Sequence, residues 1–141
     1  MIDAMVYKKL LATSAVTALV STRIYIDEQP DPATLPSITV HPTSGVPNAE
    51  IGKKHFARVQ VSCWAEPGKP KNPKTVESVA AAVRAALHKP IMNLLYPESW
   101  TAGTATYTIT KCICTGGIRL IDPTTGWYHI PVDVEISYNE A

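Results

Sequence analysis

The chain has 141 residues, a length that predicts a single domain over residues 1–141. Hydrophobic residues make up 45% of it and charged residues 18%, which excludes a disordered tail, and no apolar run approaches the roughly 18 residues of a membrane span. Thirteen basic and twelve acidic residues leave a net charge of +1, too little for bulk electrostatic binding of nucleic acid. The odd cysteine count and an N-terminus unlike a secretory signal predict synthesis in a reducing cytoplasm.

The first half of the chain alternates short elements with proline-rich connections. A helix is predicted at about Ile2–Ala12, where apolar residues recur at helical spacing. A short β-prone run follows at Arg23–Ile26, and a strand is predicted over Leu35–Val40. Residues 41–55 contain two prolines and two glycines without clear periodicity. We therefore expect a flexible loop or arm there.

The second half carries the stronger patterns. Phe56–Ala65 alternates, so that Ala57, Val59, Val61 and Cys63 line one face and Arg58, Gln60, Ser62 and Trp64 the other. A helix with one apolar stripe is predicted from about Asn72 to Leu87. Residues 94–104 are predicted to be a connector. Thr106–Leu120 and Trp127–Tyr138 flank a proline- and glycine-containing turn and are predicted to pair as a hairpin.

The order of these elements is α-β-β-α-β-β. It predicts an α+β fold with a largely antiparallel four-stranded sheet and two main helices packed on one face.

A search for chemistry finds little in the sequence. It contains neither a phosphate-binding glycine loop nor a nucleophile elbow, and the histidines are far apart. We therefore expect no enzyme activity, no cofactor and no metal. One alternative is an enzyme or metal-binding protein using Cys112 and Cys114, placed on an outer strand face near Asp133 and Glu135. The competing interpretation is an ordinary polar strand surface.

Two groups of residues are candidate contact sites. Lys53, Lys54 and His55 are either a phosphate-contacting arm or a solvated loop tip. The alternation places Trp64 and Trp127 on non-core strand faces, which predicts that another subunit covers them. The candidate interface residues are Arg58, Gln60, Trp64 and Trp127.

Several segments resemble the tail completion, or tail terminator, proteins of long-tailed bacteriophages. The similar segments are Arg23-Ile24-Tyr25, Leu35–Val40, Ala57–Ala65, the helix Val76–Leu87 and the closing hairpin with Gly126-Trp127-Tyr128. The resemblance covers nearly the whole chain as a pattern and brings no catalytic signature. The Lys53-Lys54 loop and the paired cysteines lie outside that pattern.

The resemblance implies a structural virion protein that forms a ring, commonly a hexamer, at the head-proximal end of the tail tube. Such a ring stops tube growth, joins tail to head, and contacts the tube protein and a head-closure or neck protein. It implies assembly in the host cytoplasm, no membrane partner, and DNA passing through the lumen without specific binding, which a near-neutral charge favours. We expect Lys53, Lys54 and His55 to contact the tube or neck. The alternatives are a head-closure or neck adaptor between portal and tail, and an unrelated small binding module.

Overall fold

The computed structural model describes residues 2–30, 33–42, 49–51, 54–67, 74–89 and 98–140. Over these ranges the chain forms three helices and eight strands. In chain order they are α1 (Ile2–Leu11), α2 (Ser14–Val20), β1 (Ile24–Ile26), β2 (Ser37–Pro42), β3 (Ala49–Ile51), β4 (Lys54–Ala65), α3 (Lys74–Leu87), β5 (Glu98–Ala102), β6 (Ala105–Gly116), β7 (Leu120–Ile121) and β8 (Tyr128–Glu140). In this part of the chain, no helix has the length and apolar character needed to cross a membrane.

All eight described strands belong to one mixed sheet. Its main path runs β1-β2-β4-β8-β6-β5, while β3 pairs with β4 and β7 pairs with β8. The pair β1–β2 is parallel and the other pairs are antiparallel. The predicted α+β fold with a four-stranded sheet and two main helices is therefore wrong, because the described chain is mostly β, with one eight-stranded mixed sheet and three helices. The two predicted helices are confirmed by α1 and α3. α2 is a third, separate helix that the predicted element order did not contain.

The strands that the prediction missed are short and depend on their neighbours. β1 has three residues and was predicted as a β-prone run but left out of the element order, β3 lies within the predicted loop, and β5 lies within the predicted connector. β5 pairs with β6 across the tight turn at Gly103 and Thr104. Cross-strand packing, rather than an intrinsic backbone preference, stabilises such short strands, so their own sequences give a weak signal.

Contacts of Glu98 attach β5 to the rest of the molecule. Its carboxylate forms ion pairs with Lys9 of α1 and with Lys89, which follows α3. The indole nitrogen of Trp100 donates a hydrogen bond of 2.7 Å to the same carboxylate. Trp100 itself is buried in the core. A strand of five residues held by such contacts shows no clear periodicity in the sequence, so the sequence predicted a connector here.

The core lies between the helices and one face of the sheet. The register pairs Val59 with Val134 and Val61 with Val132, and all four side chains are fully buried. The apolar stripe of α3 packs in the same cluster; its buried residues are Val76, Val79, Ala80, Val83, Ala86 and Leu87. The alternation in β4 and β8 therefore predicted the core face correctly.

The sheet curls around α1. This helix contacts both β1 and β5, the strands at opposite ends of the main path. Its residues Met5, Val6 and Leu10 are fully buried. The helices thus occupy the concave side. We call the opposite, convex side the outer face; its central residues are Ser37, Thr39 and His41 of β2, Arg58, Gln60, Ser62 and Trp64 of β4, and His129, Pro131, Asp133 and Glu135 of β8.

The register between β6 and β8 overturns the predicted placement of the two cysteines. Cys112 lies opposite Ile136 and Cys114 opposite Val134, so both face the helices rather than the outer face. Glu135 lies opposite Ile113 instead. An irregularity between Ile109 and Lys111 shifts the register by one residue, and such a shift moves side chains to the other face of a strand. The proposed grouping of two thiols with two carboxylates is therefore wrong.

Candidate assembly surface

The four predicted interface residues lie on one side of the molecule. Arg58, Gln60 and Trp64 project from β4 on the outer face, and Trp127 immediately precedes β8. The rings of Trp64 and Trp127 meet edge to face, with centroids 6.5 Å apart and an interplanar angle of 80°. The alternation predicted this grouping from residues more than sixty positions apart in sequence. Their role in an interface stays a prediction.

An aromatic cluster of Trp64, Trp127 and His129 forms one end of the outer face. The ring of Trp64 stacks on the imidazole of His129, with centroids 4.0 Å apart and an interplanar angle of 3°. Its indole nitrogen donates a 3.1 Å hydrogen bond to Oγ1 of Thr39, which is itself buried. Trp64 is consequently half-buried by its own subunit and held in one orientation. A preoriented aromatic ring loses little conformational entropy when a partner covers it.

The middle of the outer face is polar. Arg58 lies directly opposite Glu135, and their side chains form a 2.5 Å ion pair while remaining 40% and 50% exposed. Oε1 of Gln60 lies 2.8 Å from Nε2 of His41. An exposed ion pair of this kind contributes only about 0–1 kcal/mol to folding. These groups can therefore be used for recognition at little cost to the stability of the subunit.

His129 is the one titratable member of the aromatic cluster. Its Nε2 is buried and has no hydrogen-bond partner among the described residues. Burial lowers the pKa of this imidazole; the carboxylate of Asp122 opposes the shift and His41 adds to it. The ring is therefore neutral at neutral pH, which suits its stacking on Trp64.

Sequence reasoning missed an apolar tip beside the aromatic cluster. We define the apolar tip as Ile118, Leu120 and Ile121, whose residues are 77%, 47% and 61% exposed. Leu120 pairs with His129, so it extends the outer face. The signal was available, because three large aliphatic residues lie between a Gly-Gly pair and an Asp-Pro turn. The alternation instead predicted one continuous strand over Thr106–Leu120.

The predicted arm lies partly outside the described residues. Lys53 and residues 43–48 are among those not described, whereas His41 and Pro42 end β2. Residues 49–51 form β3 and pair with residues 54–56 at the start of β4. His55 stacks on Tyr138 with ring centroids 5.2 Å apart, so it belongs to the sheet. Flexibility of the arm and contact of Lys53, Lys54 and His55 with a tube or neck stay predictions.

Metal chemistry has no visible basis in the described ranges. No group of three or more histidine, cysteine, aspartate or glutamate residues there is arranged to hold an ion. Cys63, Cys112 and Cys114 are free thiols. The arrangement instead offers surfaces: a polar sheet face, an aromatic cluster and an apolar tip.

Comparison with solved structures shows the same fold in a virus-like particle. A chain from the virion of a native gene transfer agent particle superposes with a TM-score of 0.71 at 18% identity, covering 99% of this chain and 94% of that one. A second solved chain gives a TM-score of 0.53 at 12% identity, covering 96% and 91%. The comparison with curated proteins found no match. The fold is thus one that virion proteins use.

The family model for tail completion protein gp17 matches residues 4–139, nearly the whole chain. The chain belongs to this family. The resemblance drawn from the sequence is therefore confirmed, and the protein is a structural component of a bacteriophage tail.

Proposed function

We propose that the protein forms a hexameric ring at the head-proximal end of the tail tube, where it ends tube growth and joins tail to head. The observation that carries the proposal is the outer face, which has an aromatic cluster at one end and the half-exposed pair Arg58–Glu135 six residues away along β4 on the same side. Tryptophan and arginine are enriched among interface hot spots, so this face is suited to contact a second copy. The role is one of assembly, without catalysis.

The distribution of exposed apolar residues favours a ring over a two-fold dimer. Leu120 extends the outer face, whereas Ile121 lies on the opposite side of the same short strand. Ile118 and Ile121 are the most exposed of the large aliphatic residues in the described ranges. Two different patches permit head-to-tail contact, in which the tip of one copy meets the outer face of the next. Head-to-tail contacts close into rings when the rotation allows it.

Substitution of Trp127 tests the ring directly. Trp127→Ala should remain folded and lose assembly, because Trp127 lies outside the buried core and its indole meets Trp64 edge to face. Light scattering measures the assembled mass, and electron microscopy of tails from infected cells measures their length, which should exceed the normal value. Thr75→Ala, at an exposed position on α3, is the control. A folded Trp127→Ala protein that assembles like the wild type would remove Trp127 from the interface.

An exchange of charges separates a role within the subunit from one between subunits. In the double variant Arg58→Glu with Glu135→Arg, the ion pair within the subunit is kept but its polarity on the surface is reversed. Unchanged unfolding with lost assembly would support contact with a neighbour. Normal assembly would limit the pair to a role within the subunit.

The lumen and the arm complete the proposal. A net charge of +1 leaves little net positive charge to hold DNA by counterion release, so DNA can slide through the ring. In the proposal, Lys53, Lys54 and His55 contact the tube or the neck. Protease should therefore cut within residues 41–55 first in the isolated protein and be blocked there in assembled tails. Equal protection in both states would contradict this contact.

Isolated tail tubes distinguish tube termination from the neck adaptor. A terminator should bind tubes that lack heads, and electron microscopy should show it at one end of each tube. Binding only to filled heads would favour the adaptor.

A further inference from the structure

A pair of cysteines lies beside the end of α3, away from the outer face. Cys112 and Cys114 both project from β6 toward the helix, opposite Ile136 and Val134. Cys112 is fully buried, whereas Cys114 is partly accessible. Cys114 opens into a surface depression whose other lining residues are Arg84, Ala85 and His88 of the α3 end. The two thiols therefore share one face, but only one of them reaches solvent.

Hydrogen bonds hold the basic side chains of this depression in place. The backbone N–H of Cys114 donates to Nδ1 of His88 at 3.1 Å. Arg84 donates from Nη2 to the carbonyl oxygen of Gly116 at 3.0 Å. The guanidinium crosses Gly117, where an added Cβ would lie 1.8 Å from Nη2. Glycine at this position thus lets Arg84 lie close to β6 near Cys114.

The three cysteines differ in burial and in the direction in which their thiol pKa values are shifted. A hydrogen bond from the thiol of Cys112 lowers the pKa of Cys114; burial opposes the shift and Arg84 adds to it. The same hydrogen bond and burial raise the pKa of Cys112. Burial raises the pKa of Cys63 to about 12, against a smaller opposing effect of Arg84. Since the thiolate is the nucleophile, Cys114 combines access with the most favourable ionisation.

We propose that Cys114 is a thiol-exchange site for low-molecular-weight disulfides that carry carboxylates. The thiolate sulfur of Cys114 attacks one sulfur of the disulfide R–S–S–R, whose sulfur–sulfur bond breaks as the Cys114–S–S–R bond forms. The leaving thiolate takes up the proton that Cys114 released, so the products are the mixed disulfide and one RSH. Arg84 lies where it can attract a carboxylate of the bound disulfide.

The reaction stops at the mixed disulfide. Residues two apart on an extended strand project to the same face with Cβ atoms roughly 6.6 Å apart, whereas a disulfide needs Cβ atoms about 3.5–4.5 Å apart. Attack of Cys112 on the adduct would therefore require distortion of β6. Its role is to donate a hydrogen bond that stabilises the Cys114 thiolate. This site uses none of the residues that form the proposed ring contacts.

Treatment of the native, full-length protein with oxidised glutathione tests the site. Mass spectrometry should find one glutathione adduct per chain, on Cys114, while Cys63 and Cys112 react only after denaturation. Cys114→Ser should give no adduct in the native state. Cystamine, a cationic disulfide of similar reactivity, should react slower by a factor of about five because Arg84 repels it, a size typical of an exposed charge pair. First reaction at Cys63 or Cys112, or faster reaction with cystamine, would overturn the proposal.

The pH dependence of alkylation tests the hydrogen bond separately. The rate of reaction of Cys114 with iodoacetamide should reach half its maximum below pH 9.0, the ordinary thiol pKa. Cys112→Ala should raise that midpoint, and Cys112→Ser should keep it low because the hydroxyl still donates. Circular dichroism establishes that both variants are folded. A midpoint at or above 9.0 in the wild type, or identical midpoints in the two variants, would refute the role of Cys112.

Discussion

Replacement of Trp64 by alanine separates the contribution of its indole to the stability of the subunit from its contribution to contacts between subunits. The substitution removes the stacking on His129 and the edge contact with Trp127. Aromatic pairs of this kind contribute about 0.5–1.5 kcal/mol each beyond buried area. It also removes the hydrogen bond to the hydroxyl of Thr39, a residue that is 5% exposed, at a net cost of about 1 kcal/mol. Together these three contacts account for a fall of about 2–4 kcal/mol in the free energy of unfolding, apart from the loss of buried apolar area.

A loss of that size leaves the subunit folded, since domains commonly have about 5–15 kcal/mol of stability. Urea unfolding of the monomer, followed by circular dichroism, measures it. Trp64→Phe keeps an aromatic ring on His129 but lacks the indole N–H, so it should cost about 1 kcal/mol. Trp127→Ala should cost no more than about 1.5 kcal/mol, because it removes one aromatic pair.

Two results would refute this reasoning. Unchanged stability of Trp64→Ala would mean that the indole is not packed by its own subunit. Equal losses for Trp64→Phe and Trp64→Ala would mean that stacking on His129 contributes nothing. In either case the assembly defect of a Trp64 variant could not be interpreted from these contacts.

Three further predictions concern the core, the β6 turn and His129. Val79→Asp places a carboxylate at a position that is 1% exposed and should unfold the protein, since an unpaired buried charge costs several kcal/mol. Circular dichroism should show the loss of secondary structure. The control Ala81→Asp, on the exposed side of α3, should keep the wild-type spectrum. Gly117→Ala should lower the melting temperature, because φ is +122° there and the new Cβ would displace Arg84. A melting temperature equal to that of the wild type would show that the backbone at this position is not strained by a side chain. Burial lowers the pKa of His129 in the folded state, so below about pH 6.5 the unfolded state binds the proton more readily and stability falls as pH falls. Thermal melts between pH 5 and 8 should show a weaker pH dependence for His129→Gln than for the wild type, and identical profiles would contradict the assignment.

The two cysteines show where sequence reasoning reached its limit. Alternation along β6 defines which residues share a face, and Cys112 and Cys114 do share one. It does not define which face meets the helices. A single irregularity near Thr110 decides that, and it arises from pairing with β8 rather than from a local pattern. The apolar tip was missed for a related reason, because a break in β6 after Gly116 was not foreseen.

The sequence by itself determined the strongly periodic elements and the family. α1, α3, β4 and β8 carry apolar side chains at the spacing of a helix or a strand, because each buries one side along its whole length. The same alternation predicted that Arg58, Gln60 and Trp64 face away from the core. Only the tertiary structure decided the remaining sheet: β1, β3 and β5 have too few residues to show a pattern, and each is held in place by pairing with a longer strand. The tertiary structure also decided the curl of the sheet. The sheet is curved because both ends of its main path contact α1, and this curvature makes the outer face convex.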